Sequence, residues 1–172
     1  SGIGVFVEES GKGPSDGARI SVDENGDVEV LTGGASLGQG FETTMAQICA
    51  NALGVDYQRI KVIHGQTNLI PYGIGAHAAR ATVMTGSAVN VTALTLRDRA
   101  LSLAAEMLQK PPKSLDIVEG TVIVKENPSG PSITLAEIAR RNVEGLTAED
   151  FHKTKESAFP YGIHFAVVKV DP

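Results

Sequence analysis

The sequence predicts an α+β fold, a two-layer mixed β-sheet with packed helices. Three observations predict it. A strand-like run, a glycine-bearing loop and a helix-like run follow one another twice, over about 27–54 and 60–110. Asn25-Gly26 and Glu119-Gly120 each sit between two short apolar runs, the signature of hairpins. Residues 81–109 carry an apolar pattern of helical period. With 172 residues, 42% of them hydrophobic, the chain is long enough to bury one core, and residues 1–172 are read as one domain.

Residues 3–9 alternate weakly and are expected to form a strand, and Glu9–Gly17 a turn-rich loop. Ala18–Asp23 and Asp27–Leu31 flank the Asn25-Gly26 turn as hairpin strands. After Thr32 come four glycines within eight residues, Gly33, Gly34, Gly38 and Gly40, then a helix from about Thr43 to Leu53. Met45, Ile48, Cys49 and Ala52 recur on one face of that helix, and Gly54 closes it. Cys49 falls on the apolar stripe, so it reads as a packed thiol.

Ile60–His64 is a short strand, and residues 70–80 form the second glycine loop. A helix over Ala81–Gln109 spans ~40 Å at the usual rise, with Pro111-Pro112 stopping it. Val89, Ala93, Leu96, Ala100, Leu103, Ala104 and Met107 form one stripe; Leu94, Leu101, Ala105 and Leu108 form a second. The segment 115–170 is expected to add a hairpin, a helix and a strand. Leu115–Val118 and Thr121–Val124 pair over Glu119-Gly120, and Thr134 with Glu137 forms a capping box. Residues 143–158 are polar and read as loop, and Gly162–Val170 as a last strand. Strand-like sequence at both ends reads as a segment of a longer protein.

The net charge of −5, with Lys and Arg scattered, argues against a nucleic-acid surface. No apolar run approaches the ~18 residues of a membrane span. The start shows no signal peptide, and one cysteine allows no internal disulfide, so a cytoplasmic location is expected. The chain contains no P-loop, no His-Glu-x-x-His, no nucleophile elbow and no Cys-x-x-Cys. His64, His77, His152 and His164 show no metal-ligand spacing, and no residue is read as catalytic or as a metal ligand.

The glycine loops are the candidate site. Glycine lets a ligand approach the backbone closely, and the first-turn N–H groups of the following helix favour anions. Gln39, between Gly38 and Gly40, offers an amide that both donates and accepts. In the second loop His77 and Arg80 form a basic pair at the mouth of a helix, a phosphate clamp on one reading and solvated loop charges on the other.

These residues carry a resemblance. The run Thr32-Gly33-Gly34, Gln39-Gly40, Thr43, Gln47-Ile48, Leu53-Gly54-Val55 is followed by Ile60, Val62, Gly65 and Thr67. Pro71, Gly73, Gly75, Arg80, Thr82, Gly86 and Ala88-Val89 come next in the same order. The set resembles the molybdopterin-binding subunit of the xanthine dehydrogenase, aldehyde oxidase and carbon monoxide dehydrogenase family, and Val7-Glu8 with Gly11, Gly13-Pro14 and the close at Val168, Val170-Asp171-Pro172 fit it too.

The resemblance implies a fold of the molybdenum-cofactor-binding type. It implies that Gly38, Gln39, Gly40 and Thr43, with Gly75, Ala76, His77, Ala78, Ala79 and Arg80, hold the pterin and phosphates of a molybdenum cofactor (molybdopterin, in bacterial relatives usually with cytosine dinucleotide). The sequence departs from the family pattern at Gln66, where aspartate is common, and at Ala76 and Ala79, where hydroxyl residues are common. Iron–sulfur clusters and FAD are implied in partner domains or subunits, alongside the rest of the catalytic subunit. The family's other active-site segments, including its glutamate base, fall outside these residues, so the isolated chain is expected to be inactive and to self-associate. The competing reading is a non-catalytic nucleotide-binding or structural module.

Overall fold

The computed structural model describes residues 1–70 and 72–171. Pro71 of the second loop and Pro172 of the closing motif lie outside the described residues. The strands are β1 (Gly2–Val7), β2 (Ser15–Val22), β3 (Val28–Thr32), β4 (Ile60–Ile63), β5 (Leu115–Val118), β6 (Thr121–Val124), β7 (Asn127–Thr134), β8 (Leu146–Lys153) and β9 (Tyr161–Ala166). The helices are α1 (Phe41–Leu53), α2 (Ser87–Leu108) and α3 (Leu135–Arg141).

A four-stranded sheet, ordered β4-β3-β2-β8, carries both glycine loops. It is mixed: β3 and β4 run parallel, while β2 is antiparallel to both β3 and β8. Alternation explains the burial. Ile20, Val22, Val28 and Val30 point to one core with Met45, Cys49 and Leu53 of α1 and Val89, Ala93 and Leu96 of α2. Sheet and helices thus form the expected α+β layers. The thiol of Cys49 is fully buried, and desolvation pushes its pKa up to about 12, which leaves it inert. A small antiparallel sheet, ordered β5-β6-β7, and a separate ribbon of β1 with β9 complete the fold.

The two expected hairpins form. α1 ends at Gly54, in the left-handed region at φ 86°, as its C-terminal glycine implies. The Thr134 capping box is made in both directions.

Several elements differ from the sequence reading. α1 starts two residues before Thr43, because Gly40 takes the N-cap position and Phe41 packs into the core. The long helix opens with a π-helical stretch, Ala81–Gly86, and ends at Gln109 in a left-handed cap before the prolines are reached. Of its second stripe, Leu94 faces solvent, since the neighbouring elements cover the first stripe. Of the span 143–158, expected as loop, residues Leu146–Lys153 form a strand. Within it β8 pairs with β2 over eight residues, burying Leu146 and Ala148 and turning its charged side chains outward. Such charges suit an edge strand, and Glu149 meets Arg19 across the pair at 2.7 Å. The last strand ends at Ala166, where its partner β1 runs out at Gly2.

Candidate functional site

β3 delivers the chain into the first glycine loop, residues 33–40, and α1 carries it away. Gly40 caps α1 in the left-handed region at φ 74°, and no side chain caps the helix. Apart from the Glu42 N–H, which its own carboxylate takes, the first-turn N–H groups are therefore left to the backbone and to whatever approaches it. Gln39 folds back on its own loop: its Oε1 accepts from the Leu37 N–H at 2.5 Å, and its Nε2 donates to the Ala35 carbonyl at 3.1 Å. Thr43 is exposed on the first turn. Beside it Glu42 accepts from Ser36 Oγ at 3.0 Å and lies 2.9 Å from His64 Nε2. Its own backbone N–H, then His64 and Ser36, hold its carboxyl below the usual glutamate range.

The second loop is unlike the first. Ala78 and Ala79 both lie in the left-handed region, at φ 45° and 51°. Such a conformation costs a residue with a Cβ about 1–3 kcal/mol and persists only where the surroundings enforce it. Arg80 supplies much of that enforcement. Its side chain is wholly buried and donates to Asp16 Oδ2 at 3.0 Å and to the carbonyls of Lys12 (2.9 Å), Gly75 (3.1 Å) and Ser15 (3.1 Å). The expected clamp of His77 with Arg80 is therefore split. Arg80 works from behind the loop, because Asp16 draws its charge into the interior, while His77 stays exposed.

The loops meet where Gly33 and Gly73 approach so closely that a Cβ on either would strike the other segment. Over this junction opens a cleft of about 400 Å³, lined by Gly33, Gly34, Ala35, Gly65, Gln66, Thr67, Ile70, Tyr72, Gly73 and Gly75. Of the ten site residues read from sequence only Gly75 lines it; Gly38, Gln39 and Gly40 belong to the far part of the first loop, Thr43 to the first turn of α1, and Ala76–Arg80 continue the second. Beyond those ten, the cleft takes in the Gly33-Gly34 doublet, which opens the first candidate loop, and Gly65–Thr67, which lies outside both loops. Their signal was the glycine doublet itself and the turn that ends β4. Among the described residues the lining carries no formal charge, so a ligand there meets backbone groups and the polar side chains of Gln66, Thr67 and Tyr72. Among the described residues no group of three His, Cys, Asp or Glu side chains is placed to hold a metal ion.

A mixed sheet, two packed helices and two glycine loops sharing one backbone-lined cleft define a cofactor-holding domain. The chain belongs to the molybdopterin cofactor-binding domain family, whose model matches residues 1–172. It is 34% identical over 99% of its length to the 6-hydroxypseudooxynicotine dehydrogenase complex subunit gamma of Paenarthrobacter nicotinovorans, covering 22% of that protein. It is 32% identical, again over 99%, to the carbon monoxide dehydrogenase large chain of Afipia carboxidovorans, covering 23% of it. Among solved structures, carbon monoxide dehydrogenase from Oligotropha carboxidovorans superposes with a TM-score of 0.80 at 32% identity, over 94% of this chain and 23% of that one. The chain thus spans less than a quarter of the length of these relatives. The comparisons place it with the molybdopterin-binding subunits of the xanthine and carbon monoxide dehydrogenase family. Its helices are too short or too polar to cross a membrane among the described residues.

Proposed function

We propose that this chain is the part of a molybdenum hydroxylase that grips the pterin and phosphates of the cofactor. The parent enzyme oxidises an aldehyde, a purine or another N-heterocycle, using oxygen derived from water. The observation that carries this reading is the cleft between the two glycine loops, joined at Gly33 and Gly73. At Gly38, Gly40, Gly65 and Gly75 an added Cβ would meet nothing within 4 Å, so the backbone around the site is open to a ligand. Those residues fit a phosphate-bearing pterin, whose ring edge and phosphates need donors and acceptors at fixed positions rather than bulk charge.

In this reading Gly38, Gln39, Gly40 and Thr43 receive one part of the cofactor, and Gly75, Ala76, His77, Ala78 and Ala79 another. Ala76 and Ala79 offer only backbone N–H groups, and exposed His77 adds a ring N–H donor. When bound, the cofactor supplies the two-electron oxidation, and this chain orients it. Arg80 supports the loop from inside. The cofactor carries cytosine dinucleotide, the rest of the catalytic subunit supplies the reacting residues, and iron–sulfur and FAD partners take the electrons. The alternative, a non-catalytic nucleotide-binding or structural module, predicts no pterin at all.

The test is the full-length parent purified with its partners, assayed for molybdenum, released pterin and released cytidine nucleotide, and for oxidation of one aldehyde, one purine and one N-heterocycle. Near one molybdenum per subunit with turnover of one class supports the proposal. A folded complex with no pterin leaves the module reading, and full cofactor without any of the three oxidations sinks the hydroxylase assignment.

A further inference from the structure

Asp16 and Arg80 form an ion pair with no exposed side-chain surface on either partner. Asp16 is fully used. Oδ2 takes Arg80 at 3.0 Å and the Thr85 hydroxyl at 2.5 Å, while Oδ1 takes the Gly17 N–H at 3.0 Å. The guanidinium spreads its other donors over the carbonyls of Lys12, Ser15 and Gly75. A further bond, from the Gly11 N–H to the Ala78 carbonyl at 2.9 Å, ties the same two segments together. The loop is held at its entry by Gly75, in its middle by Ala78 and at its exit by Arg80, whose N–H also donates to the His77 carbonyl at 3.0 Å. The two left-handed alanines, Ala78 and Ala79, lie between Gly75 and Arg80.

Stability alone is a poor reason for such a pair. Withdrawing two charges from water consumes most of what their attraction returns, and neutral side chains of similar size commonly replace a buried pair without loss. What they do not replace is direction. A planar guanidinium with donors on several edges can fix three carbonyls and a carboxylate at once, which lysine or methionine cannot. Two of the three carbonyls belong to residues 12–15, packed behind the turn, and the third to Gly75 at its entry.

We propose that Asp16 and Arg80 are positioning residues: together they hold loop 75–80 in the strained form that presents its backbone to the cofactor. The inference rests on the cofactor reading above for what the loop presents to, but not for the loop's conformation. Neither residue touches the ligand. Thr85, in the π-helical stretch, locks the carboxylate from the other side.

The experiment uses the full-length parent assembled with its partners and the charge-free double variant Asp16→Asn, Arg80→Met, which leaves no buried charge unpaired. It is expected to melt close to wild type, yet to show faster amide hydrogen exchange in peptides covering 75–82 and a molybdenum and pterin content lowered about 10- to 100-fold, the usual loss when a supporting partner of a binding group is removed. Should the double variant not fold, Arg80→Lys keeps the ion pair, drops the carbonyl fan, and is expected to show the same local exchange increase. Unchanged exchange at 75–82 with full cofactor content in a folded variant overturns the proposal. A wild-type complex without molybdenum overturns the cofactor reading instead, and the exchange comparison still decides whether the pair sets the loop.

Discussion

Gly33 and Gly73 meet backbone to backbone. A Cβ on Gly73 would lie 2.5 Å from the Gly33 carbonyl oxygen and 2.6 Å from its Cα, and one on Gly33 would run into the Tyr72 carbonyl. Neither obstacle is a flexible side chain. The two loops are therefore held at a spacing that only hydrogen allows, and the cleft above them inherits its width from that contact.

Gly73→Ala should accordingly force the loops apart, with the ~1–3 kcal/mol cost of overpacking a tight contact. Gly4→Ala is the control, since nothing lies within 4 Å of its Cβ position. It should fall within about 0.5 kcal/mol of wild type. Thermal melts of the two variants side by side decide the matter, and equal melting points would remove the contact as a determinant.

Gln39 is predicted to matter twice. Its amide staples Leu37 to Ala35 within the loop, and in the proposed function it faces the cofactor. With the cofactor bound over this exposed loop as proposed, Gln39→Ala in the full-length parent leaves polar groups of the cofactor without partners and should cost ~1–3 kcal/mol, about ten- to a hundredfold in cofactor affinity. Molybdenum content and melting temperature measure it. Full metal occupancy with an unchanged melt would take Gln39 out of the site.

The ribbon of β1 and β9 leaves one apolar face uncovered. Ile3, Val5 and Val7 stand opposite Phe165, Ile163 and Tyr161 in register, and all six are between 66% and 81% exposed. The isolated chain is predicted to self-associate through this face. Light scattering should show a mass that grows with concentration, and Val5→Lys with Ile163→Lys should return it to a monomer. A concentrated, unmodified chain that stays monomeric would refute the prediction.

Glu137 links stability to pH. Hydrogen bonds from the Thr134 backbone N–H, then from its hydroxyl, hold the carboxyl below its ordinary value of 4.5. A carboxylate with a lowered folded-state pKa adds stability above its unfolded pKa and loses it as pH falls through the folded value. Melting temperature should thus drop on acidification below about 4.5, and part of that drop should vanish in Glu137→Gln. A pH profile identical in the two proteins would show that the capping box carries none of it.

Most of the local grammar was legible in the sequence, and the reasons are local. Asn25-Gly26 made its hairpin because the turn needs little beyond those residues, and Thr134 with Glu137 capped α3 because both partners lie within one turn. Gly54 ended α1 for the same reason. The family motif was likewise readable, because it is a spacing along the chain. β8 is not legible in the sequence although Leu146 and Ala148 alternate with the polar Thr147 and Glu149. Its charges outweighed a pattern whose partner, β2, lies some 130 residues away.

The site divides along the same line. By itself the sequence determined that two glycine loops exist, that each feeds a helix, and that both belong to a molybdopterin-binding family. Only the tertiary structure decided that Gly33 touches Gly73, that Gly65–Thr67 joins the cleft, and that Arg80 points inward to Asp16 rather than outward beside His77. The physical reason is that an arginine's direction is set by the acceptors around it. All of those acceptors but the Gly75 carbonyl come from residues 12–16, whose proximity no spacing within the second loop records.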